Sequence, residues 1–355
     1  MSKVMIMAGG TGGHVFPGIA LASALKAQGI EVVWLGTVGG MESTWVNNAN
    51  IPFNEISIKG LRGNGLLGWL QAPFKIIKAW QQAKAIIKKE QPSLILGMGG
   101  FVCGPGGLAA KSLGIPLVLH EQNAIPGLTN KLLARLSEKV ITAFPQNIIK
   151  GANVVTIGNP VRAGLEALPE VEDTQPCHLL VIGGSRGALA LNETLPKALA
   201  LMAEPDRPIV THQTGEKTFQ HTEQAYEVTG MQANLVPFID DMLKAYAKAD
   251  LVLCRSGALT VSELIAAARP AIMVPYPHAV DDHQTANANI LVALEGGEVI
   301  QQSELTAEAL AKILQAWCKN SAKRAQASQS IRQQSETKAT DKIVSLLINI
   351  MDRGQ

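Results

Sequence analysis

Near the start of the chain a run of glycines ends in an imidazole. Gly9-Gly10-Thr11-Gly12-Gly13-His14 follows directly on the apolar stretch Val4-Met5-Ile6-Met7-Ala8. Small residues between a strand and a helix leave backbone N–H groups open to an anionic oxygen, and the helix dipole adds its positive end. His14, where loop becomes helix, can take or give a proton near neutral pH, or simply fill a polar boundary. The pattern recurs as Leu179-Leu180-Val181-Ile182 followed by Gly183-Gly184-Ser185-Arg186-Gly187. Two such transitions imply two similar α/β domains facing a shared cleft, each with a place for phosphate.

Other polar clusters fall where strands should end. Leu117-Val118-Leu119 runs into His120-Glu121-Gln122-Asn123, at the edge where open parallel sheets hold ligands. Asn123 also suits an ordinary turn. Residues 1–160 contain no Asp, so the candidate bases at strand ends there are His14, His120 and Glu121. A third glycine-rich loop reads Gly97-Met98-Gly99-Gly100 and continues to Gly104-Pro105-Gly106-Gly107. In the second half, Cys254-Arg255-Ser256-Gly257 leads into Ala258-Leu259-Thr260-Val261-Ser262-Glu263. Thr260 and Glu263 have the spacing of a capping box; the other role for Glu263 is to hold the two hydroxyls of a ribose. The cluster His278, Asp281, Asp282, His283 has no zinc-ligand spacing, and a polar turn is the better reading.

Cofactor motifs are incomplete. The third glycine of G-x-G-x-x-G would fall at Val15, and the next strand ends in Gly36 rather than an acid, which disfavours NAD. The chain has no G-x-x-x-x-G-K-[ST] and no D-x-D, so neither a P-loop nor a carboxylate pair for Mg²⁺ on a diphosphate is expected.

The elements that must position these groups are legible. Apolar runs predict strands at 3–8, 31–36, 52–57, 93–97, 116–120, 139–142 and 153–157, with helices at 17–28, 73–90, 104–113 and 126–136 between them. The second half predicts strands near 178–182, 208–212, 234–236, 251–254, 271–274 and 298–300. Strand–helix alternation reads as parallel sheets covered on both faces. The acidic segment 165–176, with two prolines, is the expected linker. From about Ser303 the chain reads as helical, ending on the apolar stripe Ile343, Leu346, Leu347, Ile350.

Composition narrows the class. The 355 residues favour two domains, and 47% apolar content is enough for two cores. No apolar stretch is long enough to span a bilayer, and the N-terminus has no signal-peptide pattern. Four scattered cysteines favour a reducing compartment. Residues 1–160 hold 14 Lys and Arg against six Glu, a net +8, while the remainder nets −6. The basic half expects an anionic partner; with 4% aromatics and no recognition motif, a membrane surface or a phosphorylated substrate fits better than nucleic acid. Phe74, Ile77, Trp80 and Ile87 fall near one helical face among Lys75, Lys78, Lys84, Lys88 and Lys89. Both an amphipathic core helix and attachment of the Gly65-Leu66-Leu67-Gly68-Trp69-Leu70 segment to anionic lipid fit.

Taken together, AGGTGGHVFPG (8–18), LGMGGFVCGPGG (96–107), LHEQNAIPGLTN (119–130), GNPVR (158–162), GGSRGA (183–188), FIDDM (238–242), CRSGALTVSE (254–263) and HQTANA (283–288) resemble the MurG family of bacterial glycosyltransferases, family 28. The resemblance covers nearly the whole chain. Arg186 stands where some members have Gln, and the 278–284 loop is one residue longer than in some relatives.

The resemblance implies a GT-B fold: two Rossmann-like, doubly wound domains facing a cleft, with a C-terminal helix crossing back to the first. It implies an acceptor and membrane-associating domain at 1–162, joined by about 337–355, and a UDP-GlcNAc-binding domain at 163–336. The implied reaction is inverting transfer of GlcNAc to the C4 hydroxyl of MurNAc in lipid I, giving lipid II, with no metal or cofactor. Implied donor contacts are Thr11, Gly12, Gly13, Asn123, Arg162, Ser185, Ile239, Ala258, Leu259, Thr260, Val261, Ser262, Glu263 and Gln284. Ile239 would meet uracil and Glu263 the ribose. His14 is the implied base, with Glu121 and Asn123 in base or orienting roles. The implied setting is peripheral, at the cytoplasmic face of the inner membrane, among cell-wall synthesis and division proteins. The rivals are another GT-B transferase, acting on a glycolipid or antibiotic aglycone, and a non-catalytic sugar-nucleotide binder; the intact first-domain loops speak against both.

Overall fold

The structure is a computed structural model that describes residues 2–10, 12–58, 65–149, 151, 153–172, 175–184, 187–334 and 338–353, with 65–72 described by backbone only. The chain packs as two units, Met1–Val161 with Lys338–Gln355, and Arg162–Thr337.

In the first unit, seven parallel strands are β1 (Lys3–Ala8), β2 (Glu31–Thr37), β3 (Phe53–Ile56), β4 (Leu94–Gly99), β5 (Leu117–Glu121), β6 (Lys139–Thr142) and β7 (Val154–Thr156). Their order is β3-β2-β1-β4-β5-β6-β7. The helices between them are α1 (Gly12–Ala27), α2 (Glu42–Asn48), α3 (Gly65–Glu90), α4 (Cys103–Ser112) and α5 (Leu128–Leu133). Successive side chains of β1 feed opposite faces: Val4, Ile6 and Ala8 join one core, Met5 and Met7 the other. Burial on both faces is why the strands read as unbroken apolar runs.

Helix α1 begins five residues before the expected start at 17. Pro17 resembles a first-turn proline, yet it is buried inside the helix and removes only one hydrogen bond, that to the Gly13 carbonyl. The second half of the glycine run is therefore helical. Helix α3 likewise begins at Gly65 rather than near 73. Its apolar stripe divides: Ala79, Ala83 and Ile87 are fully buried, whereas Phe74 and Ile77 are exposed.

In the second unit, β8 (His178–Ile182), β9 (Ile209–Gln213), β10 (Asn234–Val236), β11 (Leu251–Cys254), β12 (Ala271–Met273) and β13 (Gly297–Val299) form a parallel sheet ordered β10-β9-β8-β11-β12-β13. Its helices are α6 (Leu189–Ala200), α7 (Phe219–Thr229), α8 (Met242–Lys248), α9 (Ala258–Ala266), α10 (His283–Ala293), α11 (Ala307–Cys318) and α12 (Ser321–Gln334). The last helix, α13 (Ala339–Arg353), packs Ile343, Val344, Leu347, Ile350 and Met351 into the α1 side of the first unit's core.

The segment read as a linker is docked. Arg332 donates to the carbonyls of Glu166 (3.2 Å) and Leu168 (2.8 Å), and Arg269 to that of Pro169 (2.8 Å). The Val171 amide donates to Ser328 Oγ at 2.9 Å. Acidity and prolines make a segment look solvated, but backbone carbonyls captured by arginines from later in the chain leave no mark in its own sequence.

Candidate active site

A doubly wound sheet opens a crevice at its carboxyl edge where the strand order reverses. In the first unit that point lies between β1 and β4, and three loops meet there. Gly99 and Gly100 take left-handed φ values of +115° and +87°. A Cβ on Gly99 would lie 2.7 Å from His14 Nδ1, and one on Gly100 would strike the Gly9 carbonyl. These two glycines let the β4 loop close against the first loop. The Gly10 amide is not open to a ligand, because it donates to Glu42 Oε2 at 3.3 Å. Glu42 is fully buried and also accepts from the Thr37 amide (2.9 Å) and the Thr37 hydroxyl. The donors left at this corner are the first-turn amides of α1, from Gly12, Gly13 and His14. Thr11 lies outside the described residues.

His14 is half-buried, with Nδ1 2.9 Å from Gln122 Oε1. Gln122 Nε2 lies 2.6 Å from the Met98 carbonyl and 3.1 Å from His120 Nδ1. His120 Nε2 lies 3.0 Å from the Gly158 carbonyl. Burial lowers the His120 pKa to about 4, so this ring is neutral at physiological pH.

Glu121 is buried at the end of β5, and its oxygens accept from the Asn123 amide (3.0 Å), Asn123 Nδ2 (3.4 Å), the Gly127 amide (3.0 Å) and Asn130 Nδ2 (2.9 Å). Four donors on one carboxylate make it the organiser of the 122–130 loop. It holds Asn123 in place, and its oxygens face protein amides rather than a substrate hydroxyl.

In the second unit the reversal lies between β8 and β11. Gly183 and Gly184 follow β8; Ser185 and Arg186 lie outside the described residues. After β11, Gly257 is the N-cap of α9, so Ala258, Leu259 and Thr260 offer first-turn amides. The capping-box reading fails on this register, because Thr260 is the third helical residue rather than the cap. Glu263 sits a turn further in, 4% exposed. Its Oε1 accepts from Arg162 Nε at 2.8 Å and its Oε2 from the Tyr246 hydroxyl at 3.3 Å. Burial pushes the Glu263 carboxyl above its usual range, while Arg162 and Tyr246 pull the other way. Of the remaining residues in this stretch, Val261 is wholly buried in the core and the Ser262 hydroxyl bonds back to the Ala258 carbonyl at 2.9 Å.

Ile239 is half-buried in the loop before α8. Gln284 lies in the first turn of α10 and accepts from the Tyr276 amide at 2.9 Å. In the preceding turn His283 bonds the Val280 carbonyl and Asp282 accepts from Thr285. Among the described residues, no three His, Cys, Asp or Glu side chains come together as a metal site. Three partners escaped sequence reasoning. Glu42 is 32 residues from Gly10 and Tyr246 is 17 from Glu263, so only the tertiary fold reveals either pairing. Gln122 lies in a cluster singled out by sequence, which gave no reason to separate it from its neighbours.

Two doubly wound α/β units, each with a glycine loop and an open helix start at its switch point, define the GT-B class of glycosyltransferase fold. The model of the glycosyltransferase family 28 N-terminal domain matches residues 4–142, and that of the family 28 C-terminal domain matches residues 178–343. The chain belongs to glycosyltransferase family 28. It is 64% identical to the UDP-N-acetylglucosamine–N-acetylmuramyl-(pentapeptide) pyrophosphoryl-undecaprenol N-acetylglucosamine transferase of Hydrogenovibrio crunogenus, over 99% of both chains. It is 51% identical to the protein of the same name from Alkalilimnicola ehrlichii, over 87% of each. Among solved structures it is similar to MurG of Acinetobacter baumannii, with TM-score 0.83 and 40% identity over 98% of this chain and 100% of that one. The glycotransferase of kitacinnamycin, at TM-score 0.72 and 15% identity over 99% of each chain, shares the fold alone.

Proposed function

We propose that this chain transfers N-acetylglucosamine from UDP-GlcNAc to the C4 hydroxyl of MurNAc in lipid I, giving lipid II and UDP in peptidoglycan synthesis. The observation that carries the proposal is the 64% identity over 99% of both chains to a transferase of that name. His14 takes the hydroxyl proton, the freed oxygen attacks C1 of the sugar with inversion, and the bond from C1 to the diphosphate breaks. Charge on the departing diphosphate meets first-turn amides, the loop carrying Ser185 and a helix dipole. Glu263 receives the ribose hydroxyls, with Arg162 beside it. Ile239 meets uracil through its backbone; Thr11, Asn123, Gln284 and the 258–262 backbone complete the donor site. Glu121 acts through Asn123 as a positioning residue.

The acceptor is lipid-borne, and features of the first unit suit a peripheral place at the cytoplasmic face of the inner membrane, among cell-wall synthesis and division proteins. Phe74 and Ile77 are exposed on α3, as are Phe101 and Leu108 beside and on α4, and Leu128 and Leu132 on α5. Lys75 and Lys78 flank the α3 pair, and positive charge beside exposed apolar side chains favours anionic lipid. Among the described residues, no helix is long and apolar enough to cross a membrane.

The test is transfer of radiolabel from UDP-GlcNAc to a short-chain lipid I analogue, with EDTA present. Label moving into lipid is the expected result. UDP-GlcNAc binding without transfer would overturn the acceptor assignment.

A further inference from the structure

We infer that Gln122 is a positioning residue that fixes His14 in a single tautomer, with its proton on Nδ1 and its lone pair on Nε2. The inference deepens the reading of His14 as the base and rests on it for its effect on rate. An amide oxygen and nitrogen are hard to tell apart by shape, so the orientation of a glutamine must come from its partners. The Met98 carbonyl can only accept, and it lies 2.6 Å from one terminal atom of Gln122. That atom is therefore the nitrogen. Its second hydrogen faces His120 Nδ1 at 3.1 Å and the His120 carbonyl at 3.3 Å; the Gly158 carbonyl at Nε2 can only accept, so in a neutral ring Nδ1 carries the lone pair. His120 Nε2 then carries the ring's proton and donates it to the Gly158 carbonyl at 3.0 Å. A neutral ring is required for this arrangement, and full burial supplies it.

With the nitrogen so placed, Gln122 Oε1 faces His14 Nδ1 at 2.9 Å and can only accept. His14 Nδ1 thus bears the proton, and Nε2 is the atom left to take one from a hydroxyl. An amide here does what a carboxylate does behind the imidazole of a hydrolytic triad, without adding charge. The relay is rigid. Gln122 is 1% exposed, and its backbone carbonyl accepts from Asn159 Nδ2 at 3.1 Å. Glycine at 99 leaves the room that the His14 ring occupies.

The test reads the tautomer directly. The full-length protein, labelled with ¹⁵N-histidine, is examined by long-range ¹H–¹⁵N correlation at a pH where His14 is neutral, with His14 assigned by the signal lost in His14→Gln. Protonated Nδ1 on His14 and protonated Nε2 on His120 are expected. A His14 ring protonated on Nε2, or averaging between tautomers, would overturn the proposal. In Gln122→Met, which keeps the shape and loses the amide, His14 should become a tautomer mixture. The kcat for GlcNAc transfer should then fall on the order of 10- to 100-fold, the range for loss of an orienting partner, with KM for UDP-GlcNAc within about twofold of wild type. Unchanged tautomer and kcat in that variant would also overturn it. If instead His14 has the expected tautomer while His14→Gln keeps full kcat, the relay stands and the assignment of His14 as base falls.

Discussion

At the reversal point of the first sheet stands a half-buried imidazole, His14, backed by an amide; at that of the second stands a buried carboxylate, Glu263, backed by a guanidinium and a phenol. The frames are alike: parallel strands, order reversing beside the first strand, glycines at its exit. The difference is chemical. A ring with one nitrogen committed to an amide is suited to accept a proton on the other. A carboxylate clamped between Arg162 and Tyr246 is suited to hold hydroxyls in fixed directions. Each unit also buries a histidine whose pKa burial lowers to about 4. His120 connects to the His14 ring through Gln122. His212 lies 3.0 Å from Asn192 Oδ1 and 3.1 Å from the Tyr226 hydroxyl, and Asn192 donates to the Thr214 carbonyl at 3.0 Å. One network ends on the half-buried His14 ring; the other ends on backbone beside the β8 loop, where Gly187 packs against Thr214. The comparison teaches that the fold supplies two equivalent corners and that the side chains behind each corner decide its work.

The largest effect that would sharpen this contrast is on rate. His14→Gln should lower kcat by about 10²- to 10⁴-fold, as for removal of a general base. A variant with wild-type kcat in the transfer assay would break the contrast at its first term. Next in size is Glu121→Ala, which strips the shared acceptor from Asn123, Gly127 and Asn130. It should lower stability by on the order of 3 kcal/mol in urea unfolding. Unfolding at the wild-type midpoint would show that the carboxylate does not organise its loop.

Acid should weaken both units through their buried rings. An unfolded histidine has a pKa of about 6.5, against about 4 for His120 and His212 in the folded protein. Between those values the unfolded chain binds protons that the native one does not. Stability is thus complete above about pH 6.5 and falls toward pH 4, by roughly 3 kcal/mol per ring. Calorimetry should show Tm dropping over this window, with a shallower drop in His212→Asn. A Tm independent of pH there would mean that neither ring is held neutral. The smallest effect belongs to the surface: Phe74→Ser should weaken binding to anionic vesicles roughly tenfold, one aromatic side chain's worth of burial. Equal binding by the variant would remove α3 from the lipid contact.

Much of this was legible before the fold was known. Continuous apolar runs mark buried parallel strands, and the observed strands follow them within a residue or two. Boundaries set by local chemistry were less legible. Pro17 looks like a helix start but lies inside α1, because the glycines ahead of it can already be helical. Thr260 and Glu263 have capping-box spacing, but the cap is Gly257, one turn earlier. Contacts across the fold were not legible at all. Nothing near Glu42 announces that it will hold Gly10, and nothing in segment 165–171 announces the arginines that fasten it. Spacing reports what neighbours along the chain can do, and these partners become neighbours only after the sheets assemble.

The central claim is that the two corners divide the labour, and one steady-state experiment tests it. We would measure kcat and the KM for UDP-GlcNAc in His14→Gln and Glu263→Gln, side by side, with a lipid I analogue in excess. The account predicts that His14→Gln lowers kcat with KM within about twofold, whereas Glu263→Gln raises KM on the order of tenfold, the loss of about one good hydrogen bond to the donor. If both variants changed the same constant, or if His14→Gln acted through KM alone, the division would be wrong.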